Sequence, residues 1–185
     1  MTTPEDDAYV YTGRPTIFTG SATTLTLPIG AIVRESATAA FADAFKGGAE
    51  AGNAIKDAAG YAVIVAPKLT SFSYEYKQLK NIGFAITPTA SVVVDVRVID
   101  AEGATRWQRS YSSGPTEGSA YMLNTSPEEE ISKVTYEALY DQFSAAAADI
   151  ARGAASMGAG AAAQQLAPAV RATAASPWHA GHGAT

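Results

Sequence analysis

Residues 91–111, SVVVDVRVIDAEGATRWQRSY, constrain the fold more than any other stretch of the chain. Val92, Val94, Val96 and Val98 alternate with Asp95 and Arg97, the period-two pattern of a strand with one apolar face and one wet face. Asp100 to Gly103 supply turn residues, and ATRWQRSY returns antiparallel, which makes the stretch a β-hairpin. If the turn pairs Ile99 with Ala104, Val96 faces Trp107, Val92 faces Tyr111, and Arg97 meets Arg106 beside Asp95 and Gln108. Asp95, Arg97, Arg106 and Gln108 are therefore the candidate partner surface. Arg109 falls on the valine face in this register, where an unpaired buried charge would be expensive. It is expected at the sheet margin, paired with an acid such as Glu75, or turned outward by a one-residue bulge at Gly103.

The rest of the chain supplies what such a hairpin can pack against. Leu25 and Leu27 alternate with Thr24 and Thr26 in a half-buried strand stopped by Pro28, with Gly30 releasing the chain. From Ala31 the period changes, and Val33, Ala37, Ala40, Phe41, Ala44 and Phe45 share one helical stripe, with Gly47 and Gly48 as the stop. AEAGNAIKDAAG reads as a continued or broken helix, because its glycines oppose its alanines. YAVIVAPKLTSFSYEYK reads as one long strand or two short ones, with Pro67 at a bend or an edge. QLKNIG turns the chain, and Phe84 begins a third strand region whose ladder Pro88 interrupts. Near the other end, Ser126, Pro127 and Glu129 stand at N-cap, N1 and N3 of a second helix, a capping box. Ile131, Ala138, Leu139, Phe143, Ala146 and Ile150 form its stripe, and it ends near Gly153.

This order, strand-helix-strand-strand-strand-helix, predicts an α+β fold: a mostly antiparallel twisted sheet of four to five strands with two main helices packed on one face. Residues 1–15 read as a mobile leader, 16–152 as a single domain, and 153–185 as an Ala- and Gly-rich tail, partly helical or disordered. A length of 185 residues suits one domain with a real core. The start MTTPEDDAYVY is acidic where a signal peptide would be basic, and it resembles a start placed after a removed export segment.

Composition narrows the chemistry. A formal charge of −5 without a local basic run argues against nucleic acid. With no cysteine there are no thiolate sites or disulfides, and the two histidines, His179 and His182, stand in the tail as WHAGH beside helix-breaking glycines, so no metal is expected there. The predicted domain thus lacks the residues of Ser-His-Asp and Cys-His catalysis. Of the remaining acids, Glu75, Asp95, Asp100 and Glu102 are the candidates for paired-carboxylate work, with Asp100 and Glu102 better explained by the turn. GGAEAG does not match the phosphate-binding glycine spacings. Phe72, Tyr74 and Tyr76 share one strand face, either as core or, together with Trp107, as an aromatic contact or pocket. No cofactor is expected. The run SAAAADIARGAASMGAGAAA permits close helix approach and self-association through the last helix and the tail.

LPIGAIVRESATAAFADAFKGG, GYAVIVAPKLTSFSY, the VVVDVRVIDAEGATRWQRSY hairpin and EEEISKVTYEALYDQFSAAAADI together resemble small bacterial envelope lipoproteins of the YajG-like and ABC-transport-auxiliary type. The resemblance spans about residues 20–152. It implies export, an outer-membrane address facing the periplasm, and a noncatalytic role in protein–protein assembly, transport or envelope maintenance, with other envelope proteins as partners. The lipid-bearing cysteine of such proteins is missing here, so a membrane would be reached only through an anchor this chain lacks. A carrier of a small apolar ligand or lipid, using the seam between the aromatic strand and the helices, is the alternative, and a carboxylate-based hydrolase a weaker one.

Overall fold

The computed structural model describes residues 1–15, 23–58, 60–61, 63–78, 85–122 and 126–156. The chain runs α1 (Pro4–Asp7), β1 (Tyr11–Gly13), β2 (Leu25–Leu27), α2 (Ile29–Ala44), a 3-10 turn (Ile55–Ala58), β3 (Ile64–Gln78), β4 (Ala85–Ile99), β5 (Thr105–Ser112), β6 (Thr116–Glu117), β7 (Tyr121–Met122) and α3 (Pro127–Ser156). Strand β4 is central to the main sheet. It pairs antiparallel with β3 on one side, while β5, β6 and β7 follow one another along its other side. Strands β1 and β2 form a separate antiparallel pair. The fold is α+β: the expected order is kept by β2, α2, β3, β4, β5 and α3, with α1, β1, the 3-10 turn, β6 and β7 added.

The valine alternation decides which side of the sheet is covered. Val92, Val94 and Val96 are at most 1 % exposed, under an α3 stripe of Ile131, Ala138, Leu139, Phe143 and Ala146 that is fully buried. Helix α3 lies against β4 and beside α2, with the rings of Phe41 and Phe143 6.1 Å apart. Removing each of these valine, isoleucine, leucine and phenylalanine side chains from water contributes about 1.5–3 kcal/mol.

Strand β3 is a single 15-residue element, not two. Its apolar positions change phase midway: Val65, Pro67 and Leu69 are odd-numbered, Phe72, Tyr74 and Tyr76 even. One extra residue at Thr70, between the pairs Leu69–Val94 and Ser71–Val93, lets both sets face the helices. The Thr70 hydroxyl donates to the Val93 carbonyl at 3.0 Å and anchors the bulge. Pro67 sits on this edge strand, where a missing N–H costs no ladder bond. Pro88 lies in β4 where the neighbouring edge is broken between β6 and β7, and its carbonyl accepts the Gly118 amide at 2.9 Å.

The hairpin register differs from the expected one. Val94 faces Tyr111, Val96 faces Arg109, Val98 faces Trp107, and Arg97 faces Gln108 rather than Arg106. Two features produce the change. Asp100 and Ala104 close the turn, the Asp100 amide donating to the Ala104 carbonyl at 3.0 Å, which pairs Ile99 with Thr105. Arg106 is then the extra residue between the Ile99–Thr105 and Val98–Trp107 pairs. The net shift is even, so Trp107, Arg109 and Tyr111 stay on the valine face.

Residues 1–15, expected as a leader, are instead tied to the domain. Thr3 and Asp6 form a capping box on α1, the Asp6 amide donating to Thr3 Oγ1 at 3.0 Å. The Asp7 carboxylate accepts from Asn53 Nδ2 at 2.7 Å and from Arg34 Nη1 at 3.2 Å, and β1 pairs with β2. Gly30 lies inside α2 rather than before it, and the close approach of α1 calls for glycine there: a Cβ would stand 2.1 Å from the Asp6 carbonyl oxygen and 2.5 Å from that of Asp7. AEAGNAIKDAAG is the broken alternative, holding only the 3-10 turn. At α3, Ser126 Oγ accepts the Glu129 amide at 3.5 Å and donates to Glu128 Oε2 at 3.2 Å. Of the expected turn at 78–83, Gln78 still belongs to β3, while 79–83, with Phe84, and the tail from 157 onward, with His179 and His182, lie outside the described residues; α3 itself reaches Ser156.

Candidate functional site

The side of the sheet turned away from the helices is built by the outward positions of three strands. Across the middle of it run two rows, Lys68–Asp95–Ser110 and Ala66–Arg97–Gln108. Ser71, Ser73, Ser91, Val93 and Ser112 extend the face toward β6. Lys68, Arg97, Gln108, Ser110 and Ser112 are exposed, and Ser91, Val93 and Asp95 half-buried. Among the described residues the hairpin end is roofed: Ile64, Ala66 and Ile99 form a small second cluster under Met1, Ile55 and Ala58. The result is a sheet face of short hydroxyl side chains with a few charges.

The four residues of the expected partner surface are distributed unequally on it. Asp95 accepts a hydrogen bond from Ser110 Oγ across the β4–β5 pair. Arg97 and Gln108 are register partners and point outward together. Arg106 is drawn away to the turn, where its guanidinium pairs with Asp100 at 2.7 Å. Asp100 Oδ1 also accepts the amides of Ala104 at 2.7 Å and Glu102 at 3.1 Å. Desolvation raises the Asp100 pKa, but these two amides and Arg106 outweigh it and hold the carboxyl below its ordinary value. Asp100 thus has a sufficient structural role.

The aromatic stripe belongs to the core. Tyr74 and Tyr76 are 2 % and 4 % exposed, and Phe72 and Trp107 are partly buried against the same cluster. Tyr11 packs edge-on to Phe72 and Tyr74, with centroids at 4.9 and 6.0 Å, and the Tyr74 hydroxyl donates to the Gly13 carbonyl at 3.0 Å. Burial pushes the Tyr74 pKa up to about 12 and raises that of Tyr76 further. The hydroxyls of Tyr76 and Tyr121 are buried close to one another without a well-formed hydrogen bond, and each perturbs the other's ionisation. Around Phe72, Tyr74 and Tyr76 the seam between this strand and the helices is packed core.

Arg109 is at the sheet margin, as one of the sequence alternatives has it, but its partner is Asp149 of α3. Arg109 Nη1 lies 2.6 Å from Asp149 Oδ2, and the guanidinium stands 5.6 Å over the Tyr111 ring. The Tyr111 hydroxyl donates to the same Asp149 oxygen at 2.7 Å, and Arg152 takes the other. Hydrogen bonding from Tyr111, opposed by desolvation and helped by both arginines, holds the Asp149 carboxyl below its ordinary range. The available sequence signal was the position of Asp149, three residues after Ala146 and next to Ile150, on the margin of the apolar stripe.

The acids considered for catalysis do not converge. Glu75 is in register with Thr89, six residues from Asp95 along β4, which separates them by about 20 Å at the strand rise of ~3.3 Å per residue. A carboxylate pair working on one glycosidic bond stands roughly 5–9.5 Å apart. Among the described residues no group of three or more His, Cys, Asp or Glu side chains could hold a metal ion, and no helix is long and apolar enough to cross a membrane.

No family model matches the chain, and no curated protein matches it. Among solved structures, the crystal structure of protein XCC0632 from Xanthomonas campestris, labelled DUF330, is similar with a TM-score of 0.45 and 13 % identity, covering 77 % of this chain and 74 % of that one.

Proposed function

We propose that this chain is a noncatalytic binding module of a bacterial envelope, facing the periplasm, whose outward sheet surface docks a protein partner in assembly or transport. One observation carries the reading: both long helices cover the same side of the sheet, and among the described residues nothing covers the middle of the other side, around Lys68, Arg97, Gln108 and Ser110. The short serine side chains of this face let another surface approach closely. Lys68 and Arg97, which have no ion pair among the described residues, supply charge selectivity toward an acidic partner. The envelope address rests on the resemblance across residues 20–152. The wide separation of Glu75 and Asp95 supports a contact role over a hydrolytic one.

The test is site-specific photo-crosslinking in bacterial cells. Crosslinkers at Lys68 and Gln108 are expected to capture a discrete partner, a crosslinker at the exposed Glu137 of α3 is not, and Arg97→Glu is expected to abolish capture. Equal capture at all three positions, or capture indifferent to Arg97→Glu, overturns the assignment.

A further inference from the structure

Away from that face, at the free edge of β3, a cavity of about 220 Å³ lies between the C-terminal half of α2, residues 48–54 and the first residues of β3. Its floor is apolar and firmly held: Ala37 and Phe41 of α2 are each 5 % exposed, and Pro67 of β3 is buried. Phe45, Ala49 and Val65, packed on the main core, continue the lining. The mouth is polar. Arg34 and Glu50, both exposed, contribute to it, together with Tyr61, whose pKa is raised first by a hydrogen bond to Glu50.

We infer that this cavity binds a small neutral amphiphile, an aliphatic or single-ring body carrying one hydroxyl or amide. Size sets the body. An apolar cavity of ~150 Å³ accepts benzene, so by proportion this one accommodates about nine non-hydrogen atoms. That is below the roughly 300 Å³ at which sites for larger ligands begin. Charge sets the head. A carboxylate at the mouth would meet Glu50 while Arg34 is already engaged by Asp7 at 3.2 Å, and an ammonium would gain only a solvent-exposed pairing with Glu50, which is worth little. A hydroxyl or amide donates to the Glu50 carboxylate, which has lone pairs left beside the one that takes the Tyr61 hydroxyl, without leaving either charge opposed. The phenylalanines and alanines provide the apolar body with contacts whose worth grows with the area removed from water.

The assignment goes beyond the partner-face reading and shares no residue with its test. The decisive experiment titrates the full chain with 1-octanol, octanoate and octylammonium while following backbone amide resonances. Saturable shifts with 1-octanol, centred on Ala37, Phe41, Ala49 and Val65, are expected, with affinity at least tenfold above that for either charged analogue. Ala54→Phe, which projects a ring into the cavity from its wall, is expected to abolish binding and raise the melting temperature. Absence of saturable shifts, shifts scattered over the surface, or octanoate binding as well as 1-octanol each overturns the inference. The wild-type titration decides the matter even if Ala54→Phe does not fold.

Discussion

Asp149 joins three partners on two elements, and the structure orders their worth. Tyr111 is 9 % exposed and its hydroxyl donates to a carboxylate whose side chain is 13 % exposed, so breaking this bond leaves a poorly hydrated group behind. Hydrogen bonds to charged groups contribute about 1.5–3 kcal/mol, and discounting for the solvent that reaches the carboxylate leaves about 1–2 kcal/mol. The guanidiniums of Arg109 and Arg152 are 61 % and 75 % exposed, so each ion pair contributes roughly 0–1 kcal/mol and is screened by salt. A double-mutant cycle of Tyr111→Phe and Asp149→Ala, read by urea denaturation, is expected to give a coupling of about 1–2 kcal/mol that salt leaves unchanged. The parallel cycle with Arg109→Ala is expected to give less than about 1 kcal/mol, falling further in salt. At a domain of this size each kcal/mol moves the melting temperature by about 3 °C. The depressed pKa of Asp149 fixes the pH dependence: its contribution is complete above the ordinary carboxylate value and is lost as pH falls through the lower folded value. The Tyr111→Phe penalty should therefore stay constant near neutrality and shrink below about pH 4. A larger coupling for Arg109 than for Tyr111, or a Tyr111 coupling within error of zero, refutes the ordering.

Gly30→Ala should destabilise the domain by about 1–3 kcal/mol in chemical denaturation, because the steric cost at the Asp6 and Asp7 carbonyls exceeds the ~1 kcal/mol gain in helix propensity; a stabilised variant would mean α1 does not dock on α2. At high pH, tyrosines whose folded pKa is raised, Tyr74 by burial and Tyr140 by its bond to Asp43 and burial, both to about 12, stabilise the fold below the ordinary value near 10 and withdraw that support as pH climbs toward 12. Tyrosinate absorbance is expected to rise together with loss of the circular-dichroism signal, whereas most of it appearing near pH 10 with the signal intact contradicts the burial of these rings.

Period and local chemistry made the main elements readable. Alternating valines around Asp95 and Arg97 imply one covered face, and the Ile131-to-Ile150 stripe implies a helix to cover it, since each pattern has one arrangement that removes its apolar atoms from water. Leu25 and Leu27, stopped by Pro28, place β2 for the same reason. The choice between one strand and two over residues 61–77 stayed open in the sequence, and the bulge at Thr70 is what turns Tyr74 and Tyr76 into the core. Other features depend on groups far apart in sequence. Asp149 reaches Arg109 and Tyr111 because α3 crosses the sheet margin there, and Arg106 leaves the outer face because Asp100 closes the turn one residue later than local pairing implies. Residues 1–15 look polar and unattached until Arg34, Asn53 and Gly30 meet them. The sequence by itself determined which faces must be dry, because that depends on side-chain alternation along one element. Only the tertiary structure decided register, the partner of each buried charge and the cavity beside α2, because those depend on which distant surfaces come within a few ångströms of each other.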